Sequence, residues 1–172
     1  FFNWNNTMIT TSGAYTQVFV NANNCDSTHT LNVIINNTPT ADAGINATIC
    51  SDTTYLVSGS ANNDSSVIWT TSGDGYFNNP GQYFTTYNPG TTDIANGGVT
   101  LTFTAFGYYP CGNASDQMIL NIDSVTFGNS SVVACDFFNW NNTMITTSGA
   151  YTQVLVNANN CDSTHTLNVI IN

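Results

Sequence analysis

Apolar and polar side chains alternate through long parts of this chain. Between Gly98 and Gly107, Val99, Leu101, Phe103 and Ala105 stand against Thr100, Thr102, Thr104 and Phe106, which predicts a strand with one buried face. Met118, Leu120 and Ile122 repeat the pattern and predict a closing strand over 116–122. Shorter runs predict strands over 54–58, 66–71 and 83–87, with Trp69 as a central core aromatic and Gly73-Asp74-Gly75 as the turn beyond it. Near the start, 15–20 and 28–35 read as strands joined by a turn at Asn21-Ala22-Asn23-Asn24, and Leu31, Val33 and Ile35 share a face. Trp4 and Met8-Ile9 belong to a further hairpin on the same core. Two short strands, 125–127 and 132–134, lead into Cys135. Short strands at this spacing predict an all-β chain of sandwich type.

One stretch occurs twice. Residues 1–36 return as 137–172 at a constant offset of 136, with one change, Phe19 to Leu155. The exchange keeps an apolar side chain, so this position is expected to pack. A near-perfect duplication predicts a window on a longer array of period 136, opening partway through one unit. The expected division is 1–36, the C-terminal part of a small β module whose first strands are missing; 37–122, a larger sandwich; and 123–172, the complete small module. Repetition multiplies reach and valency rather than chemistry.

Composition narrows the partners. The chain has no Lys, Arg or Glu, and its ten Asp give a formal charge of -10. Nucleic acid and anionic membrane surfaces are excluded, because both are bound through cations. No apolar run reaches the ~20 residues of a membrane helix. The 41% apolar content, being alternating, favours a folded β chain over a disordered one. Five Cys leave one over. The counterpart of Cys135 falls at position -1, just ahead of Phe1, so the expected bridges are Cys135 to Cys161 and Cys50 to Cys111, with Cys25 unpaired. Unpaired buried thiols are the alternative. Bridges imply an oxidising, extracellular setting. A bridge closing a ~25-residue loop would add roughly 3 kcal/mol to a module with a small core.

The string CDFFNWNNTMITTSGAYTQVLVNANNCDSTHTLNVIIN resembles the short C-D-x-F-x-W-N...N-x-x-C-D-S-x-x-T-L repeats of large cell-surface proteins of Bacteroidota. The middle part, with TADAGINATICSDTTYLVSGS and VTLTFTAFGYYPCGNASDQMILNI, resembles the PKD-like, immunoglobulin-like repeats of the same proteins. The resemblance implies an extracellular array of immunoglobulin-like sandwiches alternating with small disulfide-stapled β modules. It implies a stalk, filament or adhesin, including gliding-motility adhesins exported by the type IX secretion route, and no catalytic residues. It also points to O-glycosylation at the Asp-Ser/Thr motifs of Ser27, Thr53, Ser124 and Ser163, making the chain a glycoprotein.

Other candidate chemistry is sparse. His29 and His165 are one position in two copies, expected to pack against Leu31 and Leu167 rather than to ligate metal, and no nucleophile elbow accompanies them. The Asp residues are scattered as in turns; Asp74, between two glycines, is the candidate for calcium. Tyr76, Tyr83, Tyr87, Tyr108 and Tyr109 are candidates to stack on sugars, with ordinary cross-strand packing the favoured use. The chain is therefore expected to be a non-enzymatic structural or adhesive unit of an extracellular, cell-surface or secreted fibre, with neighbouring repeats as partners and no cofactor. The alternatives are a carbohydrate-binding module that meets surface polysaccharide, or a filament subunit completed by a neighbour's strand.

Overall fold

The computed structural model describes residues 1–158 and 160–172. The strands begin with β1 (Phe2–Trp4), β2 (Thr7–Ile9), β3 (Gly13–Val20) and β4 (Asp26–Val33). β1 and β2 form a tight hairpin, as do β3 and β4. Asn5 and Asn6 both take positive φ, 47° and 65°, the geometry of a two-residue hairpin turn that Asn tolerates.

A larger group follows. It contains β5 (Thr40–Asp42), β6 (Ala47–Cys50), β7 (Tyr55–Ser58), β8 (Ser60–Asn62), β9 (Asp64–Thr71), β10 (Tyr76–Phe77), β11 (Phe84–Asn88), helix α1 (Thr91–Ala95), β12 (Gly98–Gly107) and β13 (Asn113–Asp123). One sheet runs β6-β13-β12-β9, with β6 parallel to β13 and the other pairs antiparallel; a second runs β10-β11-β7. Alternation buries Val67, Trp69, Val99, Leu101, Phe103, Ala105, Met118, Leu120 and Ile122 on one sheet against Val57 and Tyr87 on the other. Trp69 lies 4.8 Å from Phe103, ring centre to ring centre, so the expected central aromatic is in place.

The last group is β14 (Thr126–Ala134), β15 (Phe138–Trp140), β16 (Thr143–Ile145), β17 (Gly149–Val156) and β18 (Asp162–Ile171). The two short strands expected over 125–134 are one continuous strand. β14 pairs in parallel with β18, which pairs antiparallel with β17. Ile145, Leu167 and Val169 form a separate small core with Val132, Phe138, Trp140, Tyr151 and Ile171 around it. The chain is all-β apart from α1, which the sequence reading did not anticipate.

The cysteine pairing differs from expectation. The disulfide joins Cys50 to Cys161, while Cys111, Cys135 and Cys25 are free thiols. Strand direction explains both corrections. Cys50 is in register with Asp123, the last residue of β13, whereas Cys111 precedes its first residue, Asn113. Eleven residues of strand, roughly 35 Å at ~3.4 Å per residue, hold the two apart. Cys161 stands at the start of β18 and Cys135 past the end of β14, so parallel pairing puts these two at opposite ends of the small sheet. The staple therefore links the sandwich to the small unit instead of lying within either.

Position 19/155 also departs from expectation. Phe19 and Leu155 are 41% and 42% exposed on the outer face of their hairpins. Phe19 leans on the His29 ring, at 6.5 Å between centres.

Candidate functional site

Three places gather polar, sulfur or aromatic groups. The first is the junction between sandwich and second small unit. β13 runs on through Asp123 into Ser124, and the Ser51 amide donates to the Asp123 carbonyl at 2.9 Å. The Val125 amide donates to Ser51 Oγ at 3.2 Å, and Asn157 Nδ2 donates to the Ser124 carbonyl at 3.2 Å. With Cys161 only 2% exposed beside Cys50, the junction is a short, covalently closed brace. A disulfide here fits an extracellular protein.

The second place is a pair of carboxylates in the sandwich, Asp74 and Asp93, which cap each other's segments. Asp93 is the third residue of α1, 1% exposed. It accepts from the amides of Asp74 (3.2 Å), Gly75 (3.1 Å) and Gly90 (3.0 Å), and from the Tyr87 hydroxyl (2.6 Å). Since that hydroxyl donates to Asp93, the Thr71 hydroxyl donates to Tyr87 in turn, at 2.8 Å. Gly73 is required here: a Cβ on it would lie 1.6 Å from Asp93 Oδ1. Asp74 reaches the other way and accepts from the amides of Thr92 (3.0 Å) and Asp93 (3.1 Å) and the Thr91 hydroxyl (3.3 Å). This is an N-cap supplied by a separate loop.

Hydrogen bonding, first from the Thr92 amide, pulls the Asp74 carboxyl from 3.8 down to about 2. The folded state thus binds its proton more weakly than the unfolded chain does. The stabilisation from this cap is complete above pH 3.8 and is lost as pH falls through about 2. Urea unfolding at stepped pH is expected to show this acid limb, and Asp74→Asn is expected to flatten it. A wild-type limb retained in the variant would remove Asp74 as its source.

The calcium candidate thus sits with its carboxylate engaged by α1. Among the described residues no group of three or more His, Cys, Asp or Glu is placed to hold a metal. Nor is any described helix long and apolar enough to cross a membrane. Of the Tyr candidates, Tyr87 is fully buried, which is a correction; Tyr76, Tyr83, Tyr108 and Tyr109 are exposed. Burial, then the bond to Asp93, pushes the Tyr87 hydroxyl well above its ordinary pKa. The sequence places Asp93 only among the scattered turn aspartates and does not show its buried role. Its signal was Gly90 followed at three residues by Asp, the spacing by which a helix's first turn reaches back to its own cap.

The third place is a cleft that occurs twice. Trp4, Thr7, Ile9, Tyr15 and Gln17 line one of about 260 Å³, and Trp140, Thr143, Ile145, Tyr151 and Gln153 line its copy of about 190 Å³. In each the Asn of the hairpin turn, Asn5 or Asn141, donates to the Gln. The histidines sit behind the clefts, 5.9 Å from Trp4 and Trp140 respectively, and His165 Nε2 shares a 2.9 Å hydrogen bond with Ser130 Oγ. Their neighbours are these aromatic rings rather than the leucines expected, and His29 is exposed where His165 is half-buried. Of the glycosylation candidates, Ser27, Thr53 and Ser124 are exposed. Thr53 Oγ1 donates to the Cys50 carbonyl at 2.8 Å, and half-buried Ser163 accepts from the Thr126 hydroxyl at 2.8 Å.

No protein-family model matches the chain, and no curated protein matches it. Among solved structures it is similar to a mouse protocadherin, clustered PcdhgC3 EC1-3, at 12% identity and a TM-score of 0.38, covering 94% of this chain and 77% of that one. It is also similar to an endo-fucoidan hydrolase of glycoside hydrolase family 107, at 8% identity and a TM-score of 0.34, covering 94% of this chain and 34% of the enzyme.

Proposed function

We propose that the chain is a structural and adhesive repeat unit of a long extracellular fibre, built from the units 1–36, 37–122 and 123–172 in tandem. The observation that carries this reading is the sandwich flanked by two near-identical small units, one of them locked onto it by Cys50–Cys161. A chain braced between neighbours suits a spacer, and a surface without cations keeps parallel fibres apart by mutual repulsion. The resemblance extends the proposal to surface adhesins of Bacteroidota exported by the type IX route, including those of gliding motility, with O-glycans at Ser27, Thr53, Ser124 and Ser163.

Antibodies against 37–172, applied to intact cells of the source organism, are expected to decorate surface filaments at regular spacing. Decoration only after lysis, on a species that is not filamentous, would overturn the proposal. The repeated aromatic cleft favours a second reading, a carbohydrate-binding module for surface polysaccharide. Glycan-array binding that is lost on Trp140→Ala would select it over a purely structural role.

A further inference from the structure

The two small units have nearly the same sequence and different surroundings, so one reads out what the other lacks. In 123–172, β14 covers β18 and leaves Leu167 and Val169 only 4% and 2% exposed. Their copies Leu31 and Val33 are half-buried, and among the described residues no strand pairs with the outer edge of β4. Ile34 is 80% exposed where Ile170 is 53%. β4 also ends at Val33 where β18 runs to Ile171, because Val133 and Ala134 hold Ile170 and Ile171 in register.

The uncovered end of β4 lies against the sandwich. A cleft of about 300 Å³ is lined by Phe1, Phe2, Ile34, Ile35, Pro110 and Cys111, and the Cys111 thiol donates to the Asn36 carbonyl at 3.3 Å. In the complete unit Ala134 is in register with Ile171, and its carbonyl accepts from the Asn172 amide at 3.0 Å. Cys135 is the next residue. Carried back by 136, Asn172 becomes Asn36, so a cysteine following a strand seated there falls beside Asn36, which the Cys111 sulfur already touches.

We propose that the open edge of β4 and the Phe1–Cys111 cleft seat a further copy of the 123–136 strand, carried by a repeat unit joined ahead of Phe1, and that the cysteine ending that strand forms a disulfide with Cys111. Cα atoms of a disulfide lie ~4.4–6.8 Å apart, the spacing of neighbouring strands. The donor is a preceding unit of the same chain rather than a second molecule. In a second molecule β14 is committed to its own β18 along nine register pairs, and donating it would strip that unit. The bond forms by exchange with a low-molecular-weight disulfide such as oxidised glutathione. The two protein thiols give up two protons and two electrons, and the oxidant leaves as two thiols. Each small unit would then be stapled to the sandwich after it through its Cys135 equivalent and to the sandwich before it through its Cys161 equivalent.

This inference rests on the tandem-array reading, and filament decoration tests that reading independently. The test uses the full chain lengthened by a second copy of 123–136 ahead of Phe1, refolded in a glutathione redox buffer and mapped after peptic digestion, since trypsin has no site. The expected result is the loss of two alkylatable thiols, Cys111 and the added cysteine, as one linked peptide pair, with Cys50–Cys161 retained. Amide exchange at Leu31 and Val33 is expected to slow to the rates at Leu167 and Val169. In a Cys111→Ser version the link disappears and the slowed exchange remains. An added cysteine that stays free or bonds Cys25, or unchanged exchange along β4, overturns the proposal.

Discussion

Asp93→Ala is expected to cost the sandwich roughly 3–5 kcal/mol, because each donor left buried without its acceptor costs about 1–3 kcal/mol. The substitution strands three amides, at Asp74, Gly75 and Gly90, and leaves the Tyr87 hydroxyl without its acceptor. It also unties the turn that carries Asp74, so the cap on α1 weakens at the same time. Water can reach part of this region because Asp74 is exposed, which keeps the total below the sum of the separate losses. Asp93→Asn keeps the shape but turns one acceptor into a donor facing donors, so an intermediate loss is expected. Urea unfolding checks this. Amide exchange in β17 and β18, whose core is separate, should stay unchanged. A loss under about 1 kcal/mol would show that Asp93 does not hold the loop.

Removing the Cys50–Cys161 bond ranks second. By the chain-entropy estimate a crosslink across 111 residues contributes about 5 kcal/mol at most, and measured bridges run lower, so roughly 3–5 kcal/mol is expected. Its form matters more than its size. The sandwich and the small unit have separate cores, and their junction is otherwise held by a few exposed or half-buried hydrogen bonds. Cys50→Ser with Cys161→Ser should therefore split one unfolding transition into two, the small unit melting first. Cys111→Ser or Cys135→Ser should leave the melting profile unchanged, because both thiols are free here. A double variant that still melts in one step at the wild-type midpoint would refute the brace.

The strands were legible because most bury one face. β12 was readable to its end residues, and β9, β11 and β13 within a few, since period-two alternation survives wherever one side meets a core. The short pieces β8 and β10 offer too few residues for a period. α1 is a single turn fixed by Asp74 from a distant loop, a contact that no local pattern announces. The cysteine error had the same origin. Spacing gives the size of a loop but not strand direction, and the parallel pairing of β14 with β18 sends Cys135 to the far end from Cys161. Tyr87 was grouped with surface tyrosines because a hydroxyl looks solvent-seeking until its buried acceptor is known.

The placement of the bridge decides where tension travels. Pulled from Phe1 and Asn172, the chain enters β6, crosses directly from Cys50 to Cys161 and leaves along β18. Everything between is a side loop: the chain across a sequence separation of 111, roughly 370–400 Å of contour at ~3.3–3.6 Å per residue, cannot be paid out while the bond stands. β9 and β12, which carry Trp69 and Phe103, lie inside the closed loop and off the line of force, so their opening adds no length beyond the bridge. Reduction turns the same molecule into an extensible tether, so the redox state of one sulfur pair sets its length under load.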